Sequence, residues 1–188
     1  WRETHRGVPP GPHPKVPGRL VGSTFDPAAV AADRRLNFID EAAYRHAERR
    51  AREVQFEGGT LDADRLFGNL LSSMPMCFNV FGAVGTAPAF VELMRVVFDH
   101  DAADVDDVEC EAPSPPQWDD RTAFDAQVEY RTGAGERCFL AVETKYTEPF
   151  TQMPYDRALY RQITSESGWF QAGAADELVD RATNQLWR

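Results

Sequence analysis

The feature that most constrains this chain is residues 124–146. Phe124, Ala126, Val128 and Tyr130 alternate with Asp125, Gln127 and Glu129, the period of a strand with one apolar and one polar face. Residues 138–146 are apolar enough for a central strand, interrupted by Glu143 and Lys145. Between them residues 132–136, Thr-Gly-Ala-Gly-Glu, form a short Gly-containing loop of the kind that joins antiparallel strands. A turn centred on Ala134 sets Tyr130 opposite Cys138, Val128 opposite Leu140 and Ala126 opposite Val142, so the apolar faces match. A one-residue slip would send these side chains to opposite faces. The same register sets Asp125 opposite Glu143, with Cβ atoms about 4.5–5.5 Å apart, and puts Lys145 on the face of Glu143.

Two carboxylates held that close repel each other, and one gains proton affinity unless a cation sits between them. A hard divalent cation with oxygen ligands resolves the conflict. Lys145 adds a positive charge that orients water or neutralises developing negative charge. An Asp followed by Glu-x-Lys on the neighbouring strand is a constellation for metal-assisted phosphodiester hydrolysis. A bare Glu-x-Lys is common on solvated edge strands. Here the polar pair interrupts an apolar strand, where unpaired charge is costly. Lysine is also scarce: the chain has two, Lys15 and Lys145, against eighteen arginines.

Asp125, within Arg-Thr-Ala-Phe-Asp, and Glu143 and Lys145, within Val-Glu-Thr-Lys-Tyr-Thr-Glu, resemble the motif of the PD-(D/E)xK nuclease superfamily, the restriction-endonuclease-like fold. The wider pattern resembles an uncharacterised bacterial branch, with a Leu-Ser-Ser-x-x-x-Cys-Phe-Asn segment at residues 71–79 before the hairpin and Gln-Leu-Trp-Arg at residues 185–188 after it. The motif covers about 25 residues; with its flanks the resemblance spans roughly residues 65–188. Phe124 stands where the family name has its Pro. The resemblance implies an α/β chain with a three-layer core, a central mixed β-sheet, flanking helices and an N-terminal helical region. It implies a nuclease using Mg2+ or Mn2+, with Asp125, Glu143 and the Thr144 carbonyl on the metal and Lys145 holding the attacking water. DNA is the expected partner, and a homodimer is a common arrangement in such enzymes. An early helix often adds a Glu, for which Glu57 and Glu92 are the candidates. A Gln after the catalytic Lys is matched by Gln162 or, more weakly, Gln185. Glu129 and Glu148 are nearby acids that could assist a second metal, with solvated roles the favoured reading for both.

A net charge of −10 runs against the basic footprint usual in nucleic-acid binders. Much of the excess lies in residues 99–111, a run that reads as a solvated face. The charge favours a rival reading, a catalytically silent module of nuclease-like fold that serves protein or nucleic-acid binding. A small-phosphoester hydrolase has less support, because no Gly-rich phosphate cradle or His cluster is present. Three widely spaced cysteines, Cys77, Cys110 and Cys138, suggest buried thiols in a reducing cytoplasm rather than a disulfide framework or zinc site. No apolar run is long enough to span a bilayer. No signal-peptide pattern stands at the opening residues, which lack Met, and a longer product is expected at both ends.

Residues 1–24, rich in Pro and Gly, are expected to form an extended arm without helix or strand, and residues 25–188 a single nuclease-like domain. Asp26-Pro27 caps a helix running to about Gln55, with Leu36, Ile39, Ala43, Ala47 and Ala51 at helical spacing and Arg45, Arg49, Arg50 and Arg52 as a solvated basic stripe. Thr60 or Asp62 starts a second helix. Residues 76–81 are core, and Asn69 and Asn79 are expected to satisfy backbone groups. A third helix covers residues 90–98 with Phe90, Leu93, Met94 and Val97 inward. Residues 105–111 are a possible first strand. Helices follow at 154–163, with Leu159, Tyr160 and Ile163 inward, and at 174–187.

Overall fold

The computed structural model describes residues 7–56, 61–85, 88–98, 101–113, 123–147 and 156–179. The chain divides into two compact units, one of Trp1–Ser114 and Asp120–Thr147, the other of Pro115–Asp119 and Glu148–Arg188.

In the first unit the arm is not featureless. β1 (Pro10–Pro12) pairs antiparallel with β2 (Leu20–Phe25). The expectation of no strand here fails because a two-stranded ribbon needs few donors from β1. Proline lacks only the N–H, which an edge strand can leave unused. Gly11 is required at the contact, since a Cβ there would lie 2.0 Å from the Phe25 carbonyl oxygen. Ser23 accepts the Leu70 N–H at 2.8 Å, which ties the ribbon to the loop ahead of the site.

The long helix expected from Asp26 is three pieces. Asp26 caps α1 (Pro27–Ala32), accepting from the Ala28 and Ala29 N–H groups. A 3-10 turn covers Arg34–Asn37, and α2 spans Glu41–Phe56. The breaks fall at aspartates. Asp33 accepts from the Arg35 N–H, and Asp40 from the Ala43 N–H, so side-chain oxygens take donors that would otherwise start or continue a helix. Ile39, in the second break, is exposed as a result.

α3 (Ala63–Gly68) starts at Asp62, whose side chain accepts the Arg65 N–H. α4 (Ser73–Cys77), capped by Ser72, runs on into a π-helical turn at Phe78–Gly82. Asn79 bridges to the broken segment, accepting from Ile39 N and donating to Asn37 O; Asn69 accepts the Leu71 N–H. Both asparagines thus satisfy backbone groups. In α5 (Pro88–Val97) Phe90 and Met94 are buried and Val97 is exposed.

The sheet has order β3-β4-β5, formed by β3 (Ala102–Pro113), β4 (Ala123–Thr132) and β5 (Arg137–Val142), all antiparallel. The α/β class holds. Of the mixed sheet, only antiparallel pairs are found among the described residues. The hairpin register is the one its apolar pattern requires: Tyr130↔Cys138, Val128↔Leu140 and Ala126↔Val142. Val105, Val108, Cys110, Ala126, Val128 and Tyr130 join Ala43, Ala47, Leu66, Phe67, Phe78, Phe81, Phe90 and Met94 in one core. Each large side chain fully buried there contributes about 1.5–3 kcal/mol.

In the second unit α6 (Ala158–Glu166) and α7 (Ala174–Leu178) are linked by Arg161, which pairs with Asp156 and Asp176. Tyr160 is buried, while Leu159 is half-buried and Ile163 exposed. Most of the final expected helix, from residue 180, lies outside the described residues. Among the described residues no helix is long and apolar enough to cross a membrane.

Candidate active site

Alternation on β4 puts Asp125 on the polar side of Ala126, at the end of the β4–β5 ladder. Its backbone is held from below: the Cys77 thiol, at the end of α4, donates to the Asp125 carbonyl at 2.8 Å. Hydrogen bonding with Cys110 and burial push the Cys77 thiol well up, so it keeps the proton it donates. The chain leaving β5 is fastened to the loop before α4, where Thr147 Oγ1 donates to the Leu71 carbonyl at 2.8 Å. Segment 71–79 therefore supports the site from both of its ends.

Asp125 Oδ2 accepts from the Thr144 N–H at 2.5 Å and the Thr144 hydroxyl at 2.9 Å. Lys145 Nζ pairs with Glu143 Oε1 and donates to the Thr144 carbonyl at 3.3 Å. Asp125, Glu143, Thr144 and Lys145 are thus gathered at one place. One detail differs from the simple register. Glu143 lies past the last residue of β5, so Asp125 and Glu143 are not a ladder pair. The Asp125 carboxylate captures the Thr144 N–H and replaces the next step of the ladder.

The donor set fits a hard divalent cation, because it consists of two carboxylates and a carbonyl oxygen. As the side chains stand, Asp125 Oδ2 is engaged by Thr144 and Glu143 Oε1 by Lys145. Among the described residues no three His, Cys, Asp or Glu side chains converge closely enough to hold an ion.

A family model, the PD-(D/E)XK nuclease superfamily, matches residues 1–188, the whole chain. The chain belongs to this superfamily. Neither curated proteins nor solved structures gave a match. Membership supports phosphodiester hydrolysis of the nuclease type.

One acid beside the trio was not singled out by sequence. Glu111 lies on β3 between Cys110, paired with Ala126, and Ala112, paired with Phe124, which sets it beside Asp125. Burial, with the negative charge of Asp125 and Glu143, pushes its carboxyl up to about 7, against the opposing pull of Arg65 and Arg50. Glu111 is also the one non-glycine residue with a positive φ among the described residues, at 52°. The signal that would have found it is the hairpin register carried one strand upstream. Once Val108 faces Val128, Glu111 falls in line with Asp125.

The remaining candidates sort clearly. Glu92 is 68% exposed on α5 and paired with Arg95, whose Nε donates to the Ala102 carbonyl at the far end of β3. Glu92 is not brought to the trio. Glu57, Glu148 and Gln185 lie outside the described residues. Glu129 is paired with Arg137 near the hairpin turn. Gln162, in the second unit, donates to Glu166. The basic stripe on α2 is largely neutralised: Arg45 pairs with Glu41, Arg49 with Glu53 and Glu109, and Arg52 with Glu48. Arg50 is not solvated at all, its side chain being 6% exposed.

Proposed function

We propose that this chain is a metal-dependent nuclease that hydrolyses DNA phosphodiester bonds. The observation that carries this reading is the gathering of Asp125, Glu143 and Lys145 at the open end of two paired strands, in a chain that belongs to a nuclease superfamily. Asp125, Glu143 and the Thr144 carbonyl would hold Mg2+ or Mn2+. When bound, the cation supplies Lewis-acid stabilisation of charge on the attacked phosphate and makes a bound water more acidic. For these side chains to turn toward a cation, Thr144 and Lys145 must yield their present contacts with the two carboxylates. Lys145 Nζ, released from Glu143, then orients the attacking oxygen and neutralises charge on the phosphate. DNA, rather than RNA, rests on analogy with the superfamily. A reducing cytoplasm suits the free thiols Cys77, Cys110 and Cys138.

The observation favouring a silent binding module is the pairing of the α2 arginines with glutamates, which leaves that face a poor phosphate track. Cleavage of supercoiled plasmid and of single-stranded DNA with Mg2+ or Mn2+ decides between the two. The nuclease reading predicts cutting by the wild type, its loss in EDTA, and no cutting by Lys145→Ala. Equal cutting by wild type and variant would remove Lys145 from the chemistry. No cutting by either, with no Mn2+ binding by calorimetry, would favour the silent module.

A further inference from the structure

We propose that Cys77 is a positioning residue for Asp125: its thiol takes the place of a missing rung between β3 and β4, and so sets the main chain from which the Asp125 carboxylate reaches the site. The inference rests on the nuclease reading, in which Asp125 belongs to the chemistry.

The missing rung follows from the ladder. At the hairpin end the Thr132 N–H donates to the Glu136 carbonyl at 2.9 Å, so Thr132 turns its backbone groups toward β5. Backbone groups of an antiparallel strand change sides with every residue. Tyr130, Val128 and Ala126 therefore turn theirs to β5, and Glu129, Gln127 and Asp125 turn theirs to β3. Gln127 has Glu109 opposite, and two residues on the partner of Asp125 would be Glu111. Yet the ladder passes from Cys110↔Ala126 to Ala112↔Phe124 without a Glu111–Asp125 pair. The cause is local. Glu111 has a φ of 52°, left-handed backbone that turns its N–H and carbonyl out of line with a strand.

Each carbonyl at this gap is answered from a helix. Arg50, on α2, donates Nη2 and Nε to the Glu111 carbonyl at 3.0 and 3.3 Å. Cys77, the last residue of α4, donates its thiol to the Asp125 carbonyl at 2.8 Å. Cys77 is 1% exposed and belongs to the core. Without the thiol, the Asp125 carbonyl would face that core with no donor, a costly state that the main chain relieves by shifting. The shift would not stay at Asp125. Its carboxylate accepts the Thr144 N–H and hydroxyl, so the segment that carries Glu143, Thr144 and Lys145 moves with it. Displacements well short of a side-chain length are enough to slow a reaction that depends on alignment.

The test uses the full chain. Serine and alanine are close in volume, so Cys77→Ser and Cys77→Ala open the same space and differ in the donor. Cys77→Val, which fills the space without a donor, replaces the alanine variant if that one folds poorly. One readout is DNA cleavage with Mg2+, resolved into kcat and KM. The other is hydrogen exchange of the Thr144 N–H in the metal-free protein, referred to the Val128 N–H of β4, which follows the stability of the fold. Cys77→Ala is expected to lower kcat by about tenfold or more with KM for DNA within about twofold, and to speed Thr144 exchange relative to Val128. Cys77→Ser is expected to recover both. If the variant without a donor keeps the wild-type kcat or leaves Thr144 exchange unchanged, or if Cys77→Ser loses as much as Cys77→Ala, the thiol does not position Asp125 and the nuclease site stands without it. Lys145→Ala is the control for the underlying reading. If it cuts as fast as wild type, or if wild type does not cut, the site reading and this inference fall together.

Discussion

Glu109 and Glu111 stand two residues apart on β3 and meet opposite surroundings. Glu109 has one histidine and two arginines around it: His46 Nε2 lies 3.1 Å from it, Arg49 pairs with it at 3.1 Å and Arg50 at 3.8 Å. Burial would raise its carboxyl, but the hydrogen bonds and charges of His46 and Arg49 outweigh it and hold Glu109 below the ordinary value. Burial and the charges of Asp125 and Glu143 outweigh Arg65 and Arg50 at Glu111, whose carboxyl is pushed up to about 7. The same residue type on the same strand is compensated in one place and frustrated in the other. The difference teaches which acid serves the fold. A compensated carboxylate stabilises what it touches, whereas one left beside like charges persists at a cost.

The sharpest way to break this comparison is at the frustrated end. Asp125→Asn or Glu143→Gln should lower DNA cleavage by about 10²–10³-fold, the order seen when one charge-stabilising group is removed from an active site, with urea unfolding showing a fold at least as stable as wild type. Next in size is the residue that touches both ends. Arg50→Met removes the grip on the Glu111 carbonyl and one cation of the Glu109 network. Breaking a buried ionic contact of this kind costs about 3 kcal/mol, to be read from the urea midpoint.

A smaller effect, of opposite sign at the two acids, sharpens the comparison. Glu109→Gln should destabilise by about 2 kcal/mol at pH 7, the worth of hydrogen bonds to charged groups. Glu111→Gln should stabilise the metal-free protein by on the order of 2 kcal/mol at pH 8. The pH dependence follows from the directions. A carboxyl held low contributes stability that is present above the ordinary carboxylate value and lost as pH falls through the folded value, so the Glu109 contribution disappears in acid. A carboxyl raised from 4.5 to about 7 binds its proton more tightly when folded, so stability falls as pH rises between those values. Unfolding curves from pH 5 to 8 should therefore slope downward in wild type and flatten in Glu111→Gln, while Glu109→Gln keeps the slope. The smallest effect is at the exposed Arg45–Glu41 pair: Arg45→Ala should leave the urea midpoint within error, because solvent screens such pairs.

The β4–β5 hairpin and its register were legible in the sequence, for a physical reason. Both strands alternate, the loop fixes their register, and a single slip would bury Glu129 and expose Val128. The trio was legible with it. Other parts were decided by contacts that no local pattern shows. The arm pairs as β1 and β2 because Gly11 admits the Phe25 carbonyl. The helix from Asp26 breaks because Asp33 and Asp40 divert backbone donors. Glu111 was hidden in an acidic run that reads as solvated, and Arg50 in a basic stripe that reads the same way. Only a long-range contact, from α2 to the outer edge of β3, sets these two apart from their neighbours.

The central claim is that Asp125, Glu143 and Lys145 act as one site, and a double-mutant cycle on DNA cleavage tests it most directly. Single-turnover rates would be measured for wild type, Asp125→Asn, Lys145→Ala and the double variant with saturating Mg2+. Groups that work as a unit are strongly non-additive, so the account predicts that the double variant cuts no more slowly than the slower single. Losses that multiply, with the double variant slower by the product of the two singles, would contradict it.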